Sequence, residues 1–141
     1  MITSSLKRLT YWDASAAIEA LIPAQRSEIA AAEAKSDGIN LLSSLAWAEV
    51  HSVIARLQRQ RSITAALAND ARKELQTRRW RWTNVVPVRT VVLELASRWQ
   101  LRGADLWHLA AAKTLRADRP ELRLFTFDDR LRAAAEGEGL A

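Results

Sequence analysis

The sequence contains no cysteine and only two histidines, His51 and His108. Without cysteine the chain cannot form a disulfide framework or a thiolate metal site, which suits a reducing compartment. No uninterrupted apolar run approaches the ~18 residues that a membrane span requires. The N-terminus reaches Asp13 before a signal-type apolar region develops. We therefore expect no secretory leader, no membrane partner and a cytoplasmic protein.

Low-complexity segments and internal repeats are also absent from the 141 residues. A hydrophobic content of 49% and a charged content of 26% are typical of a globular protein. This length predicts a single domain over residues 1–141. What the chain has in excess is positive charge, since its net charge is +5 and arginine dominates its 21 basic residues. Because guanidinium groups bind phosphates bidentately, this excess indicates an acidic partner, either nucleic acid or an acidic protein.

Short β-prone segments alternate along the chain with segments rich in alanine and leucine, which favour helix. The predicted strands span residues 9–12, 39–43, 85–88 and 122–127. Pro87 assigns the third of them to a sheet edge, where a missing donor is tolerated. The predicted helices span residues 14–22, 24–35, 45–59, 63–81, 90–100, 104–116 and 130–135, and Ser44 is a candidate cap for the third. The alternation predicts an α/β sandwich with a mainly parallel sheet, in which 45–59 and 63–81 form an antiparallel helical pair.

Four of the sixteen acidic residues differ in position from the others, most of which resemble solvated charges on helix faces. Asp13 and Asp128 directly follow predicted strands, while Glu49 and Asp105 lie in the first turns of predicted helices. Because strand ends and the starts of the following helices share one edge of a parallel sheet, these four carboxylates can converge. Taken singly, each has a simpler explanation as a helix cap or as a complement to the helix dipole.

Converging carboxylates repel one another, which raises their pKa values or requires a cation. In a chain without cysteine, a site built from oxygen ligands favours Mg²⁺ or Mn²⁺ over Zn²⁺. On a basic protein such a site suggests phosphodiester hydrolysis. The ion would neutralise phosphate charge, lower the pKa of a bound water and stabilise the leaving oxygen.

Four segments give the chain a resemblance to a known family: Tyr-Trp-Asp-Ala-Ser-Ala, Leu-Ala-Trp-Ala-Glu-Val, Leu-Arg-Gly-Ala-Asp-Leu-Trp-His-Leu-Ala and Leu-Phe-Thr-Phe-Asp-Asp-Arg-Leu. In order and spacing they resemble the signature segments of PIN domains, and the closest likeness is to the VapC-type toxin ribonucleases of bacterial toxin–antitoxin pairs. The resemblance covers about residues 9–140. It implies a three-layer α/β/α sandwich with a protruding helical pair. It also implies a metal-dependent endoribonuclease with Asp13, Glu49, Asp105 and Asp128 as metal-binding and catalytic residues.

The resemblance also implies supporting residues and a reaction. Ser15 and Thr126 match hydroxyl positions that would orient a carboxylate or a water. Asp129 is the fallback for Asp128. His108 matches a histidine that is frequent in these toxins; it could support Asp105, although we favour a buried core role. A metal-activated water would attack phosphorus in line with the departing 3′ oxygen, leaving 5′-phosphate and 3′-hydroxyl ends.

Arginines cluster at the ends of the two long predicted helices, with Trp80 and Trp82 interleaved in the second cluster. Such clusters can bind single-stranded RNA through phosphate contacts and base stacking. The candidate RNA-binding arginines are Arg56, Arg59, Arg78, Arg79 and Arg81. They could equally be solvated helix ends, with the tryptophans packed against the helical pair or a second subunit. By resemblance, this pair contributes to contacts within a homodimer and with a cognate antitoxin, including a toxin–antitoxin hetero-oligomer.

Two other functions fit the same residues. One is a PIN-fold RNA-binding or partner-binding module without turnover, against which the intact acids count. The other is an RNA-maturation nuclease with no antitoxin. A phosphotransfer enzyme of the haloacid dehalogenase type fits less well, because it needs a second aspartate at the position of Ser15.

Overall fold

The computed structural model describes residues 7–22 and 27–141 of the protein. In these residues four strands form one sheet: β1 (Arg8–Trp12), β2 (Gly38–Ser43), β3 (Trp80–Thr83) and β4 (Leu122–Phe125). The strand order is β3-β2-β1-β4 and every pairing is parallel. The helices of the same residues are α1 (Ala14–Leu21), α2 (Ser27–Lys35), α3 (Ser44–Arg59), α4 (Ala65–Glu74), α5 (Arg89–Arg98), α6 (Gly103–Arg116) and α7 (Asp129–Gly137).

Alternating side chains of β1 fill two separate cores, one on each face of the sheet. Trp12 packs in a cluster with residues of α1, α2, α3 and α4. Leu9 and Tyr11 pack in a second cluster with residues of α5, α6 and α7. This follows from the period of two residues in a strand, which sends successive side chains to opposite faces. The predicted three-layer α/β/α sandwich with a parallel sheet is therefore confirmed.

The segment between α3 and α5 differs from its sequence prediction. The helix predicted over residues 63–81 ends at Glu74, and Trp80–Thr83 forms β3 at the sheet edge. The strand predicted over residues 85–88 is wrong, because that segment has no strand structure and Pro87 lies buried within it. The edge of β2 is already paired with β3, in which tryptophan and threonine favour extended structure. The valines have no remaining edge of β2 to join.

Smaller corrections concern the ends of elements. The predicted cap Ser44 is wrong, since Ser43 Oγ accepts the hydrogen bond from the Ala46 amide at 3.1 Å. The last strand ends at Phe125, two residues earlier than predicted, so Thr126 lies beyond it. The helix predicted over residues 24–35 is described from Ser27 onward, and residues 23–26 lie outside the described residues. Among the described residues, no helix combines the length and apolarity needed to cross a bilayer.

Asn40, near the start of β2, is a fully bonded buried amide with 1% of its surface exposed. Its Oδ1 accepts hydrogen bonds from the Trp12 indole at 3.0 Å and from the Arg8 guanidinium at 3.1 Å. Its Nδ2 donates to the backbone carbonyls of Ala34 at 2.9 Å and Arg79 at 3.1 Å. One side chain therefore links β1, the end of α2 and the approach to β3.

We expect Asn40→Ala to lower the free energy of unfolding by about 2–4 kcal/mol, because it leaves the buried Trp12 donor and two carbonyls without partners. Chemical denaturation monitored by tryptophan fluorescence measures this loss. The matched control is Asn69→Ala on the exposed face of α4, where we expect a change within about 0.5 kcal/mol. Equal effects of the two substitutions would contradict the structural role of Asn40.

Candidate active site

The predicted acidic residues lie around one edge of the sheet, where its parallel strands all end; we call it the carboxyl edge. Asp13 follows β1 directly and caps α1. Asp128 lies three residues after β4 and caps α7. Glu49 and Asp105 lie near the starts of α3 and α6. Local chain geometry thus places each of the four near this edge, as the topology of a parallel sheet requires.

Asp13 is almost fully buried, with 4% of its surface exposed. Its Oδ1 accepts hydrogen bonds from the Ala16 amide at 3.0 Å and the Ser15 hydroxyl at 2.8 Å. Its Oδ2 accepts one from the Thr126 hydroxyl at 2.5 Å. Burial raises the pKa of Asp13, while the bonds from Thr126, Ala16 and Ser15 oppose that rise. Both hydroxyls named by the resemblance therefore contact the first aspartate.

Glu49 is held by a buried chain of polar side chains. His108 Nε2 lies 2.6 Å from Glu49 Oε1, and His108 Nδ1 lies 2.6 Å from the Tyr11 hydroxyl. The Tyr11 hydroxyl in turn lies 3.2 Å from Ser43 Oγ. His108 has 1% of its surface exposed, so it is buried as favoured, although its bonded carboxylate is Glu49 and not Asp105.

The His108 ring bridges the two ends of this hydrogen-bonded series. Its two nitrogens form hydrogen bonds on opposite sides, with Glu49 Oε1 and with the Tyr11 hydroxyl. Burial, together with the nearby Asp13 and Glu49 charges, raises the pKa of Tyr11 and keeps its proton in place. These hydrogen-bonded side chains thereby fix the orientation of Glu49 from within the core.

The pKa of Asp105 is affected by the charges of the other three acids. Its pKa is raised first by burial, then by the charges of Asp128 and Asp13 and, more weakly, of Glu49. The charge of His108 opposes the rise. Like charges interact this way only over short distances. The charges of Asp128, Asp13 and Glu49 therefore act on Asp105 at the carboxyl edge.

The carboxylates of these acids are suitable ligands for a divalent cation, but their positions do not form a complete binding site. Carboxylate oxygens are the ligands that Mg²⁺ and Mn²⁺ prefer, and mutual repulsion among them favours a cation. Within residues 7–22 and 27–141, however, no three histidine, aspartate or glutamate side chains form a ready-made metal site. Asp13 is also engaged by three donors, so closing such a site requires side-chain rearrangement at the carboxyl edge.

A cleft of about 300 Å³ opens beside Asp105 and Asp128. Its other walls are formed by Leu101, Arg102, Asp129 and Arg130. Asp128 Oδ1 accepts the Leu131 amide at 2.9 Å, whereas Asp129 is an exposed first residue of α7. The choice of Asp128 over Asp129 as the functional acid stays a prediction.

Most of the arginines proposed from the sequence for RNA binding lie away from this cleft. Arg78 and Arg79 precede β3, whose first residue pairs with Asn40 near the start of β2, so they lie at the opposite edge of the sheet. Arg56 and Arg59 lie in the last turn of α3, roughly 10–15 Å along its axis from Glu49. Arg81 is an exposed residue within β3. An RNA contact by these residues stays a prediction.

The two tryptophans of the same stretch differ in environment. Trp80 is 7% exposed and packs edge-on against Trp12, with ring centroids 4.8 Å apart. Trp82 is 50% exposed; it lies 5.2 Å from the Trp47 ring and donates to Asn84 Oδ1 at 2.6 Å. Trp80 therefore belongs to the core, and only Trp82 presents a large face to solvent.

Sequence reasoning missed Tyr11, Ser43, Arg102 and Arg130. The alternation of β1 could have indicated that Tyr11 points away from Trp12, but its bond to a histidine 97 positions later depends on tertiary structure. Arg102 and Arg130 each lie near one of the predicted aspartates in sequence. Their proximity to Asp105 and Asp128 was the available signal.

Comparison with known proteins identifies the family to which the chain belongs. The PIN domain family matches residues 10–137. Ribonuclease VapC45 and ribonuclease VapC49, from two strains of Mycobacterium tuberculosis, are each 33% identical to the chain over 135 residues, covering 93% of this chain and 92% of theirs.

A solved structure extends the comparison to the fold. The crystal structure of Mycobacterium tuberculosis VapC20, described as a toxin that cleaves the sarcin–ricin loop, has a TM-score of 0.57 at 16% identity and covers 89% of this chain and 94% of that one. At this identity the likeness supports the fold alone. The family match and the two relatives establish that the chain belongs to the PIN domain family, in its VapC ribonuclease branch.

Proposed function

We propose that the chain is a metal-dependent endoribonuclease, acting as the toxin of a toxin–antitoxin pair and working as a single domain over residues 1–141. The observation that supports this most is the position of Asp13, Glu49, Asp105 and Asp128 near the ends of the parallel strands, at one edge of the sheet. A group of acids that repel one another lowers stability, so its presence is better explained by a function than by folding. On a chain with net charge +5, RNA is the substrate that fits both features.

In this proposal Asp13, Glu49, Asp105 and Asp128 would hold Mg²⁺ or Mn²⁺. When bound, the ion would neutralise phosphate charge and lower the pKa of a bound water. The remaining contributions come from the chain itself. Ser15 and Thr126 orient the Asp13 carboxylate, and His108 holds Glu49 with one oxygen engaged. Fixing these carboxylates before substrate arrives reduces the reorganisation needed during reaction.

The same proposal includes a cognate antitoxin and a cytoplasmic site of action. An antitoxin could block the acids by offering an arginine to them, since guanidinium and carboxylate pair bidentately. A homodimer or a toxin–antitoxin hetero-oligomer is proposed with it. If the gene lies beside a small reading frame for a DNA-binding protein that copurifies with the chain, this part is supported; cleavage without such a partner favours an RNA-maturation nuclease.

We expect Asp105→Asn to lower cleavage of single-stranded RNA in Mn²⁺ at least about 100-fold while the protein stays folded. The amide keeps the shape of the side chain and removes its charge, so the loss isolates the charge. Cleavage of total RNA, followed by mapping of the new 5′ ends, measures the activity and identifies the target. Asp70→Asn on the exposed face of α4 is the matched control and should retain full activity.

Three results would decide against a nuclease or against its metal. Full activity of Asp105→Asn would remove this residue from the reaction. RNA binding without cleavage in Mg²⁺ or Mn²⁺ would favour a binding module without turnover. Cleavage that persists after chelation with EDTA and dialysis would contradict metal dependence.

The stability of the metal-free protein should depend on pH through Asp105. Its pKa is raised in the folded state, so the folded protein binds its proton more tightly than the unfolded chain does. The free energy of unfolding therefore falls as pH rises above the ordinary aspartate value of 3.8 and through the raised pKa. In EDTA, Asp105→Asn should melt a few degrees above the parent at pH 7, with the difference shrinking toward pH 4. A gap that widens as pH falls would show that the sign is wrong.

A further inference from the structure

We infer that Arg102 and Arg130 bind backbone phosphates of single-stranded RNA beside the acidic residues. This rests on the proposed ribonuclease function and deepens it, because it assigns the residues that hold the substrate. The geometry behind it is the cleft that these two arginines line together with Asp105 and Asp128. Arg102 immediately precedes α6 and Arg130 lies in the first turn of α7.

Both guanidinium groups are free to take a ligand. Arg102 and Arg130 are exposed, and in the described ranges neither side chain forms a hydrogen bond or an ion pair, although three aspartates line the same cleft. Some arginines elsewhere in the structure are paired with acids, as Arg79 is with Glu74 and Arg98 with Glu138, and others are unpaired. What distinguishes Arg102 and Arg130 is that they are unpaired and line the same cleft as three aspartates.

Their positions do not serve helix stability. A positive charge at a helix N-terminus opposes the macrodipole, and acidic or small polar residues are favoured there. Arg102 occupies the N-cap position of α6 and makes no side-chain capping bond. Arg130 follows Asp129 at the start of α7. Two arginines in unfavourable positions beside the same acids are better explained by binding than by folding.

The negative charge of RNA explains why arginines are needed beside the acids. A phosphodiester approaching Asp105, Asp128 and Asp129 meets like charge, so the strand requires cations beside the acids to remain bound. Arginine binds phosphate oxygens bidentately and is suited to this task. Because such contacts act on the backbone, they would hold RNA in register without reading its sequence.

The test measures RNA binding in an inactive background. Fluorescence anisotropy with a single-stranded RNA oligonucleotide, using Asp13→Asn as the parent, should show about tenfold weaker binding for the Arg102→Gln/Arg130→Gln variant near 100 mM salt. The slope of log Kd against log salt should fall by about 1.4, since each lost phosphate contact to a single strand contributes about 0.7. In the active protein, KM for RNA should rise by a similar factor while kcat changes by less than about twofold.

Two sets of variants separate this role from a structural one. Arg102→Lys/Arg130→Lys keeps the charge, so it should retain most of the salt dependence and lose only part of the affinity. Arg89→Gln is the matched control, because Arg89 is another exposed arginine at a helix start and has no partner among the described residues. It follows Val88, whose amide donates to Thr114 well along α6 from Asp105. It should bind RNA as the parent does. Melting temperatures of the glutamine variants should equal or exceed that of the parent.

The outcomes distinguish this assignment from the proposed function. Undiminished binding and salt dependence in Arg102→Gln/Arg130→Gln would overturn the assignment and leave the nuclease intact. The same holds if Arg56→Gln/Arg59→Gln, at the far end of α3, reduces binding instead. Absence of both RNA binding and RNA cleavage in the unmutated protein would overturn the two together.

Discussion

The interaction on which the site depends is the burial of the Asp13 carboxylate between the two ends of the described chain. Its donors come from the start of α1, through Ser15 and the Ala16 amide, and from beyond β4, through Thr126. A buried charge is costly unless it is hydrogen-bonded, so these donors make the position tolerable. They also join residues 113 positions apart, since Thr126 reaches Asp13. The pairing of β1 with β4 and the placement of the first acid are therefore one constraint.

The second carboxylate is held from the core, and the contrast with Asp105 is informative. Glu49 is oriented by His108, which is itself fixed by Tyr11 in the middle of the sheet. Asp105 has no comparable partner among the described residues, and burial together with the charges of the neighbouring acids raises its pKa. Asp13 and Glu49 are already oriented, whereas the ionised form of Asp105 is disfavoured. Functional sites commonly retain such unfavourable interactions at a cost in stability. A cation would relieve that repulsion, which is why metal binding and stability should be linked.

The arginines beside this acidic group are not the ones that stand out in the sequence. Clusters such as Arg78-Arg79 are conspicuous in the sequence, yet they lie at the opposite edge of the sheet and Arg79 pairs with Glu74. Arg102 and Arg130 are inconspicuous single residues, and they line the cleft beside the acids. For a substrate with charge on every nucleotide, location relative to the acids matters more than local density of arginine.

The sequence by itself determined the α/β class, the parallel sheet and the candidate acids, because strand and helix periods and the shared edge of parallel strands are local rules. The resemblance to the family also implied Ser15 and Thr126 as supporting hydroxyls. It misassigned the valines of residues 85–88 and the end of the helix predicted over 63–81, where pairing with β2 overrode propensity. Only the tertiary structure decided that His108 holds Glu49 and that Arg102 and Arg130 line one cleft with Asp105 and Asp128. His108 lies 59 positions from Glu49, and the two arginines lie at the starts of different helices, so the packing that joins them leaves no short-range pattern in the sequence.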